Sequence, residues 1–297
     1  VLRSRAPEGS RSRRAPGAET FAPGGGRARS ASLTGMLVIL DGTVLPAEEA
    51  LVPATDEGLL RGDGVFEVMR LYAGRPFALD DHLARMERSA ANLRLPLDAE
   101  AVRGDVAALL EAGRPGDGIV RVVVTRGGRR LGFLEPLPAI PDSIALQTVT
   151  YAPPRIMDGV KSLSYAPNML ASRLAQEQGA DEALLTTPHG RVLEGPTSTF
   201  FCSLDGRTLV TPPLEDHILD SITRRRVLAV CEVHERPVAA DDLREAQEAF
   251  LASTTREVLA VSAIDGRALP LVGGPLTTQA AGRVRALIEQ ELGAPAG

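Results

Sequence analysis

From Met36 onward the chain is a succession of short apolar runs separated by tight-turn residues. Val38–Leu40 and Thr43–Leu45 flank an Asp-Gly pair, a pattern that predicts a β-hairpin. Further apolar, β-branched runs predict strands over residues 65–72, 119–125 and 143–150.

Apolar residues at helical spacing predict two helices within this first half. The first has apolar positions every three or four residues, at Leu83, Met86, Ala90 and Leu93. Asp80 is its predicted N-terminal cap. A second helix is predicted over residues 99–112, and residues 126–130 form a predicted basic loop.

The second half of the chain predicts more strands than helices. Short strands are predicted over residues 182–187, 191–193, 199–203, 208–211 and 249–253. Helices are predicted over about residues 169–178, 222–235 and 275–292. Because strands outnumber helices and tight turns join many of them, the pattern favours an α+β fold over a doubly wound parallel sheet.

Composition divides the chain into parts. Residues 1–35 are rich in Arg, Ser, Gly, Pro and Ala and lack a hydrophobic period, which predicts a disordered extension. There are three alternatives for this extension: a start site assigned upstream of Met36, a transit peptide, or a basic arm that touches RNA or acidic partners. Residues 151–156 contain two prolines and are the predicted linker between two domains. The first is a small α/β domain at 36–150, and the second is a larger, strand-rich domain at 157–297.

Charge and cysteine content narrow the class of protein. The formal net charge is −5, which argues against a nucleic-acid partner, and no apolar run reaches the roughly 18 residues of a membrane span. The two cysteines, Cys202 and Cys231, are too few for a disulfide framework and favour the reducing cytoplasm. The four histidines show no ligand spacing, so no metal site is predicted.

All but one of the 33 basic side chains are arginines, and the exception is Lys161. Arginine keeps its proton at any physiological pH, whereas a desolvated lysine can lose it and become a nucleophilic amine. Such an amine forms Schiff bases with carbonyl compounds, of which pyridoxal phosphate (PLP) is the leading example. A coding bias against lysine would leave the same pattern, so the residues around Lys161 decide between the two interpretations.

Three segments around the lysine carry a family resemblance. Lys161–Ala171, Gly179–Leu185 and Leu193–Phe200 together resemble the fold-type IV PLP enzymes. This group contains branched-chain aminotransferases, D-amino acid aminotransferases, R-selective amine transaminases and aminodeoxychorismate lyase. The resemblance runs from Met36 to about Leu292, and its other motifs are Arg61–Arg70, Asp81–Met86, Leu209–Pro213, Ile218–Arg224 and Phe250–Val258.

The resemblance implies chemical roles for Lys161 and Glu194. Lys161 corresponds to the lysine that holds PLP as a Schiff base and then shuttles a proton between the substrate Cα and C4′ of the cofactor. Glu194 corresponds to the carboxylate that keeps the pyridine nitrogen protonated. The other implied cofactor contacts are Arg85, Ile222, Thr223 and Thr254 for the phosphate and Leu219 and Tyr165 for the ring.

Substrate contacts are implied at Phe66, Arg126 and Thr255. The Thr255 amide corresponds to a contact with the substrate carboxylate. Arg126, with Arg129 and Arg130, would form a cationic wall for a dicarboxylate such as 2-oxoglutarate, and a solvated basic loop is the alternative. The implied substrates are an amino acid and a 2-oxo acid.

Differences from the relatives bear on the reaction. Val68 stands where branched-chain enzymes carry glycine, and the loop that follows Thr125 lacks the histidine of the D-amino acid enzymes' substrate clamp. Thr125–Gly128 resembles aminodeoxychorismate lyase, which releases pyruvate and 4-aminobenzoate. The predicted activity is amino-acid transamination. The alternatives are this lyase reaction and a non-catalytic relative that has lost its cofactor. The resemblance also implies a homodimer, in which one subunit completes the other's pocket.

Overall fold

Two β-sheets contain the strands of the computed structural model, which describes residues 36–293. Both sheets lie within one compact unit, and the mixture of helices and strands confirms the predicted α+β class. The extension predicted to be disordered, residues 1–35, lies outside the described residues. None of the described helices is long and apolar enough to cross a membrane.

The first sheet is antiparallel throughout. Its six strands are β1 (Leu37–Leu40), β2 (Thr43–Pro46), β3 (Gly64–Tyr72), β4 (Arg75–Pro76), β5 (Gly118–Thr125) and β6 (Arg130–Glu135). They lie in the order β2-β1-β6-β5-β3-β4, with the predicted hairpin formed by β1 and β2. Three helices accompany this sheet: α1 (Glu57–Arg61), α2 (Leu79–Asn92) and α3 (Ala99–Gly113).

The first core lies between this sheet and helices α2 and α3. Val65 and Met69 of β3 pack with Leu83 and Met86 of α2 and with Val102 of α3, and each is almost inaccessible to water. The helical spacing read from the sequence therefore identified the buried face of α2.

Helix α2 begins differently from the prediction. Its N-terminal cap is Ala78 in the left-handed conformation (φ 53°), and Asp80 lies inside the first turn. An acidic residue in the first turn still interacts favourably with the positive end of the helix dipole. The acidic residue near the helix start therefore predicted the approximate position of the helix but not its first residue.

The second sheet is mixed. Its eight strands are β7 (Ser143–Thr150), β8 (Glu182–Thr186), β9 (Thr199–Ser203), β10 (Leu209–Thr211), β11 (Val233–Glu235), β12 (Glu248–Ser253), β13 (Glu257–Ile264) and β14 (Arg267–Ala268). Seven of them follow the order β11-β10-β9-β12-β13-β7-β8, and β14 pairs with β13. The accompanying helices are α4 (Ala166–Glu177), α5 (Ile222–Val230) and α6 (Pro275–Gly293).

The chain passes from one sheet to the other between Glu135 and Ser143. Strand β7 pairs in parallel with both β13 and β8, so residues 143–150 belong to the second sheet and not with the strands before them. The connecting segment is 136–142, which contains three prolines, and the predicted linker at 151–156 follows a strand of the second sheet. A strand's own sequence specifies its buried face but not its partners, so the sheet to which residues 143–150 belong could not be predicted from those residues alone.

Several predicted elements are also corrected in the second half. The helix predicted over 222–235 ends at Val230, and β11 follows it and pairs in parallel with β10. Residues 191–193 do not form a strand, and only Arg191 and Val192 form isolated bridges. Helix α4 begins at Ala166, earlier than predicted. Its first turn contains Pro167, which is tolerated there because the first amides of a helix have no partner within the helix.

The two longest strands that had not been predicted are β6 and β13. Strand β6 has three apolar residues among its six, without regular alternation, and it pairs on both sides, with β1 and β5. Strand β13 follows β12 after a three-residue turn and pairs with it antiparallel. Tertiary pairing, more than local sequence, determines both strands.

We predict that Phe250→Ala lowers the free energy of unfolding by about 3–5 kcal/mol, because the change leaves a cavity in the second sheet. The Phe250 ring is fully buried and stacks on Phe201 of β9, with ring centroids 4.8 Å apart. Val272→Ala, at a position that is 49% exposed, serves as the control and should change stability by less than about 0.5 kcal/mol. Denaturant unfolding measures both variants, and a loss below about 1 kcal/mol at Phe250 would contradict the assigned core.

Candidate active site

The backbone around Lys161 is held against the first sheet. The amide of Phe66 donates to the Lys161 carbonyl over 3.2 Å, and the amide of Leu163 donates to the Gly64 carbonyl over 2.9 Å. The Lys161 amide donates to Oγ of Ser89, a buried residue of α2, over 3.1 Å. Contacts with β3 and α2 therefore fix where the lysine side chain begins.

The Lys161 amine lies among aromatic rings. Its Nζ is 4.2 Å from the centroid of Phe66 and 5.4 Å from that of Tyr165, and the two rings meet edge to face. Burial of the amine lowers its pKa to about 8, although the negative charges of Glu67 and Glu194 oppose this shift. A substantial fraction of the amine is therefore neutral near physiological pH.

Glu194 shows the opposite perturbation. Burial raises the pKa of its carboxyl to about 7, against the opposing effects of an amide donor and the Lys161 charge. The donor is the backbone amide of Leu219, which lies 3.0 Å from Oε1. Lys161 and Glu194 thus stabilise each other's charged form, and both titrate near neutrality.

Arg85 is a buried guanidinium with a dedicated counter-ion. Its Nε and Nη2 each donate to Glu67 over 2.7 Å, and its Nη1 donates to the Asp220 carbonyl over 3.3 Å. Nδ1 of His82 lies 2.7 Å from the same carboxylate. The Arg85 and His82 contacts outweigh burial and lower the pKa of Glu67 to about 2.

The neutral form of His82 follows from its surroundings. Burial lowers the pKa of the ring, and Nδ1 carries the proton because its neighbour is an ionised carboxylate. Among the described residues, Nε2 has no hydrogen-bond partner although it is buried. His82 also lines a small cavity with Ile222, Thr223 and Thr254.

This cavity brings together three of the predicted phosphate contacts. Ile222 and Thr223 form the first turn of α5, where backbone amides point out of the helix, and Ser221 caps the helix by accepting from the Arg224 amide. Thr254 joins them from the turn that links β12 to β13. A helix N-terminus with hydroxyl donors is a favourable anion site.

The remaining cofactor positions lie beside the Lys161–Glu194 pair. The Tyr165 hydroxyl donates to the Pro196 carbonyl over 2.8 Å, two residues beyond Glu194. Leu219 contributes the amide that bonds to Glu194. Thr255 lies in the same turn as Thr254, and its carbonyl accepts from Arg70 Nη1 over 2.9 Å.

Arg126, predicted to form a cationic wall for a dicarboxylate, is paired within its own chain. Its guanidinium pairs with both carboxylate oxygens of Asp63 and donates to the Leu93 and Arg94 carbonyls at the end of α2. The two neighbouring arginines are likewise paired, Arg129 with Asp41 and Arg130 with Asp105. Carboxylates of the same chain occupy these guanidinium groups, so the contacts seen here do not support the cationic wall, which stays a prediction.

Glu67 and His82 were not predicted as site residues, although both lay inside quoted motifs. Glu67 follows the alternation of β3, so it shares a face with the buried residues Val65 and Met69. His82 and Arg85 are three residues apart on α2 and therefore share a helix face. In the sequence, Glu67 on an otherwise apolar strand face, together with His82 and Arg85 on one helix face, is the pattern that could have predicted these contacts.

A metal site was not expected, and the described residues contain no group of three or more His, Cys, Asp or Glu that could hold a metal ion.

Residues 64–264 match the family described as amino-transferase class IV, so the chain belongs to that family and the predicted family is confirmed. It is 33% identical over 266 residues to the D-alanine aminotransferase of Bacillus licheniformis, covering 82% of this chain and 93% of that protein. It is 31% identical over 270 residues to the bifunctional aminodeoxychorismate lyase / D-amino acid transaminase of Mycobacterium tuberculosis, covering 79% and 93%.

Solved structures agree with this assignment. The branched-chain aminotransferase of Thermoproteus uzoniensis with norvaline superposes with a TM-score of 0.79 at 29% identity, covering 86% of this chain and 95% of that one. A hypothetical aminotransferase from Mycobacterium tuberculosis in its PLP-bound form gives a TM-score of 0.78 at 30% identity, covering 86% and 99%. The predicted class of enzyme is therefore confirmed.

The residues present fit PLP. The cofactor needs an amine, an acid near its ring nitrogen, and phosphate donors. Lys161 and Glu194 would supply the amine and the acid. Thr223, Thr254 and His82 line the cavity at the start of α5. His82 Nε2 is buried and has no hydrogen-bond partner among the described residues, as expected where a polar group of a ligand completes a protein site.

We predict that Lys161 titrates with a pKa of about 8, whereas an ordinary lysine titrates at about 10.4. Reductive methylation with a carbon-13 label, followed by NMR, reports this pKa directly because the chain has only one lysine. Between pH 8 and the ordinary value only the unfolded chain binds this proton, so stability should rise with pH in that window.

The same labelled protein in urea provides the control for this measurement, and its lysine should titrate at the ordinary value. A folded-state pKa of 10 or above would show that the amine is not desolvated.

Proposed function

We propose that this protein transfers an amino group between an amino acid and a 2-oxo acid with PLP as cofactor, Lys161 being the residue that binds it covalently. The observation that carries the proposal is the low pKa of the one lysine, beside a carboxyl group of raised pKa. When bound, PLP supplies an electrophilic aldehyde and a ring that withdraws electrons from the substrate Cα.

Lys161 acts as the general base and acid in this proposal. Its Nζ removes the proton from the substrate Cα and later returns one, which requires an amine that is neutral at working pH. Burial beside the Phe66 and Tyr165 rings lowers the pKa of the amine to about 8, which increases the neutral fraction that this step uses. Phe66 would also face the substrate.

Glu194 would hold the proton on the pyridine nitrogen. A carboxylate at hydrogen-bonding distance stabilises the protonated ring, and the Leu219 amide orients the carboxylate through Oε1. Leu219 and Tyr165 would flank the ring.

The phosphate would be bound by Arg85 and by donors at the start of α5. Arg85 uses Nε and one Nη2 proton on Glu67, which leaves other guanidinium protons for the phosphate. Ile222 and Thr223 offer amide and hydroxyl donors, and Thr254 adds a further hydroxyl. The Thr255 amide would receive the substrate carboxylate from the same turn.

A second candidate function is the elimination of pyruvate from aminodeoxychorismate. One relative carries this activity in its name together with D-amino acid transamination. The two reactions share the cofactor and differ in the bond that breaks, so the same residues would serve both.

We also infer that the protein is a homodimer of the cytoplasm. Large apolar side chains are exposed at Leu51, Leu59 and Ile156, the last of them 91% exposed, which supports a covering partner. Both cysteines are buried and unpaired, which suits a reducing compartment.

An absorbance titration tests the reaction. The protein with PLP should show the visible absorbance of the bound cofactor, and one enantiomeric series of amino acids should remove it until a 2-oxo acid restores it. Formation of 4-aminobenzoate from aminodeoxychorismate, without a response to any amino acid, would establish the lyase reaction instead. If added PLP produces no bound absorbance, the proposal fails.

We further predict that Lys161→Ala and Lys161→Arg lower kcat by about 10³-fold or more. Alanine removes the amine, and arginine keeps its proton and so cannot act as the base. A small primary amine added to the alanine variant should restore part of the activity, whereas the arginine variant, whose guanidinium fills the site, should not respond. Near-normal activity in either variant would exclude Lys161 as the base; circular dichroism checks that both remain folded.

A further inference from the structure

Glu257 has a backbone conformation that glycine usually supplies. Its φ is 56°, in the left-handed region, and it begins β13 directly after the turn formed by Thr254, Thr255 and Arg256. Across this turn it pairs with Ser253, the last residue of β12. A residue other than glycine is strained in this conformation and persists only where surrounding contacts compensate for the strain. The contacts of the Glu257 side chain provide this compensation.

One oxygen of the Glu257 carboxylate accepts a hydrogen bond from a tyrosine and forms ion pairs with two arginines. The Tyr72 hydroxyl, Arg70 Nη1 and Arg285 Nη2 each lie 2.8 Å from Oε1. Tyr72 and Arg70 belong to β3 of the first sheet, and Arg285 belongs to α6. Two guanidinium groups balance a nearly buried carboxylate, so these contacts tie the start of β13 to two other elements.

Arg70 extends these contacts to the turn itself. The same Nη1 that meets Glu257 also donates to the Thr255 carbonyl over 2.9 Å. On the other side of the turn, Arg256 pairs with Glu182, which also accepts from Ser198 Oγ over 2.9 Å. The turn is therefore held from both sides.

We propose that Glu257 is a positioning residue that keeps the Thr254–Arg256 turn in the shape in which Thr254 binds the cofactor phosphate. The inference rests on the proposed function, since Thr254 has this role only there. Glu257 and Thr254 line one small cavity with Ile222 and Thr223, which places the carboxylate beside the predicted phosphate donors. Because Arg70 and Arg285 neutralise it, the carboxylate does not repel an anion.

The charge of Glu257 and its positioning role predict opposite effects of Glu257→Gln on phosphate binding. Glu257→Gln leaves the charges of Arg70 and Arg285 uncompensated, and long-range attraction alone would then strengthen phosphate binding. Loss of the positioned turn would weaken it. A weaker affinity in this variant therefore cannot be attributed to charge.

The test compares PLP with pyridoxal, which is the same ring without the phosphate, in binding to the apoprotein. For Glu257→Gln and Glu257→Gly we expect the dissociation constant of PLP to rise about tenfold or more and that of pyridoxal to stay unchanged. Glycine accepts the left-handed backbone, so its variant separates loss of the carboxylate contacts from backbone strain.

Asp265→Gly is the matched control. Asp265 also lies in the left-handed region (φ 50°), but it sits at the other end of β13, in the turn to β14, and accepts from Thr148. Its substitution should leave the ratio of the two dissociation constants at the wild-type value. Tyr72→Phe, which removes a single donor, should shift the ratio in the same direction as the Glu257 variants but by less.

The outcomes separate this inference from the proposed function. If the wild-type protein binds PLP no better than pyridoxal, the phosphate site of the proposed function is wrong. If the wild type prefers PLP and both Glu257 variants keep that preference, Glu257 does not position the turn. An equal loss of PLP and pyridoxal affinity in the variants would also overturn the inference, because it would indicate a general structural role.

Discussion

The buried carboxylate of Glu67 is the charge around which the site is organised. It has no exposure to water, and three donors from Arg85 and His82 surround it at 2.7 Å. Removing one partner of such a buried pair costs about 3–5 kcal/mol, because the remaining charge has no water to solvate it. This constraint fixes the packing of α2 on β3, and α2 and β3 also hold the backbone of Lys161.

The two sheets contribute different parts of one site. The first supplies Phe66, Arg85 and the contacts that place Lys161, and the second supplies Glu194 and the turns that carry Thr223 and Thr254. The contacts between them include apolar packing of Phe77 against the second sheet and polar contacts, such as those from Arg70 on β3 to Thr255 and Glu257. Such contacts define distances more sharply than apolar packing does, which suits a site that must hold a cofactor and a substrate together.

Burial acts in opposite directions on the two central groups. It lowers the pKa of Lys161 to about 8 and raises that of Glu194 to about 7, since in each case water no longer stabilises the charged form. One environment thereby brings an amine and a carboxyl group, which differ by about six pKa units in water, to nearly the same value. Each group can therefore change its protonation state near neutral pH.

The sequence by itself determined the family, the single lysine to which the chemistry is assigned, the buried face of α2 and most of the strands. These features depend on local composition, residue spacing and motif order, which a linear chain displays. Tertiary structure alone decided that β7 joins the second sheet, that Arg126 is paired with Asp63, and that Glu67 and Glu257 lie beneath the site. The physical reason is that a strand's partners and a charge's counter-ion come from distant parts of the chain, so only the folded packing specifies them.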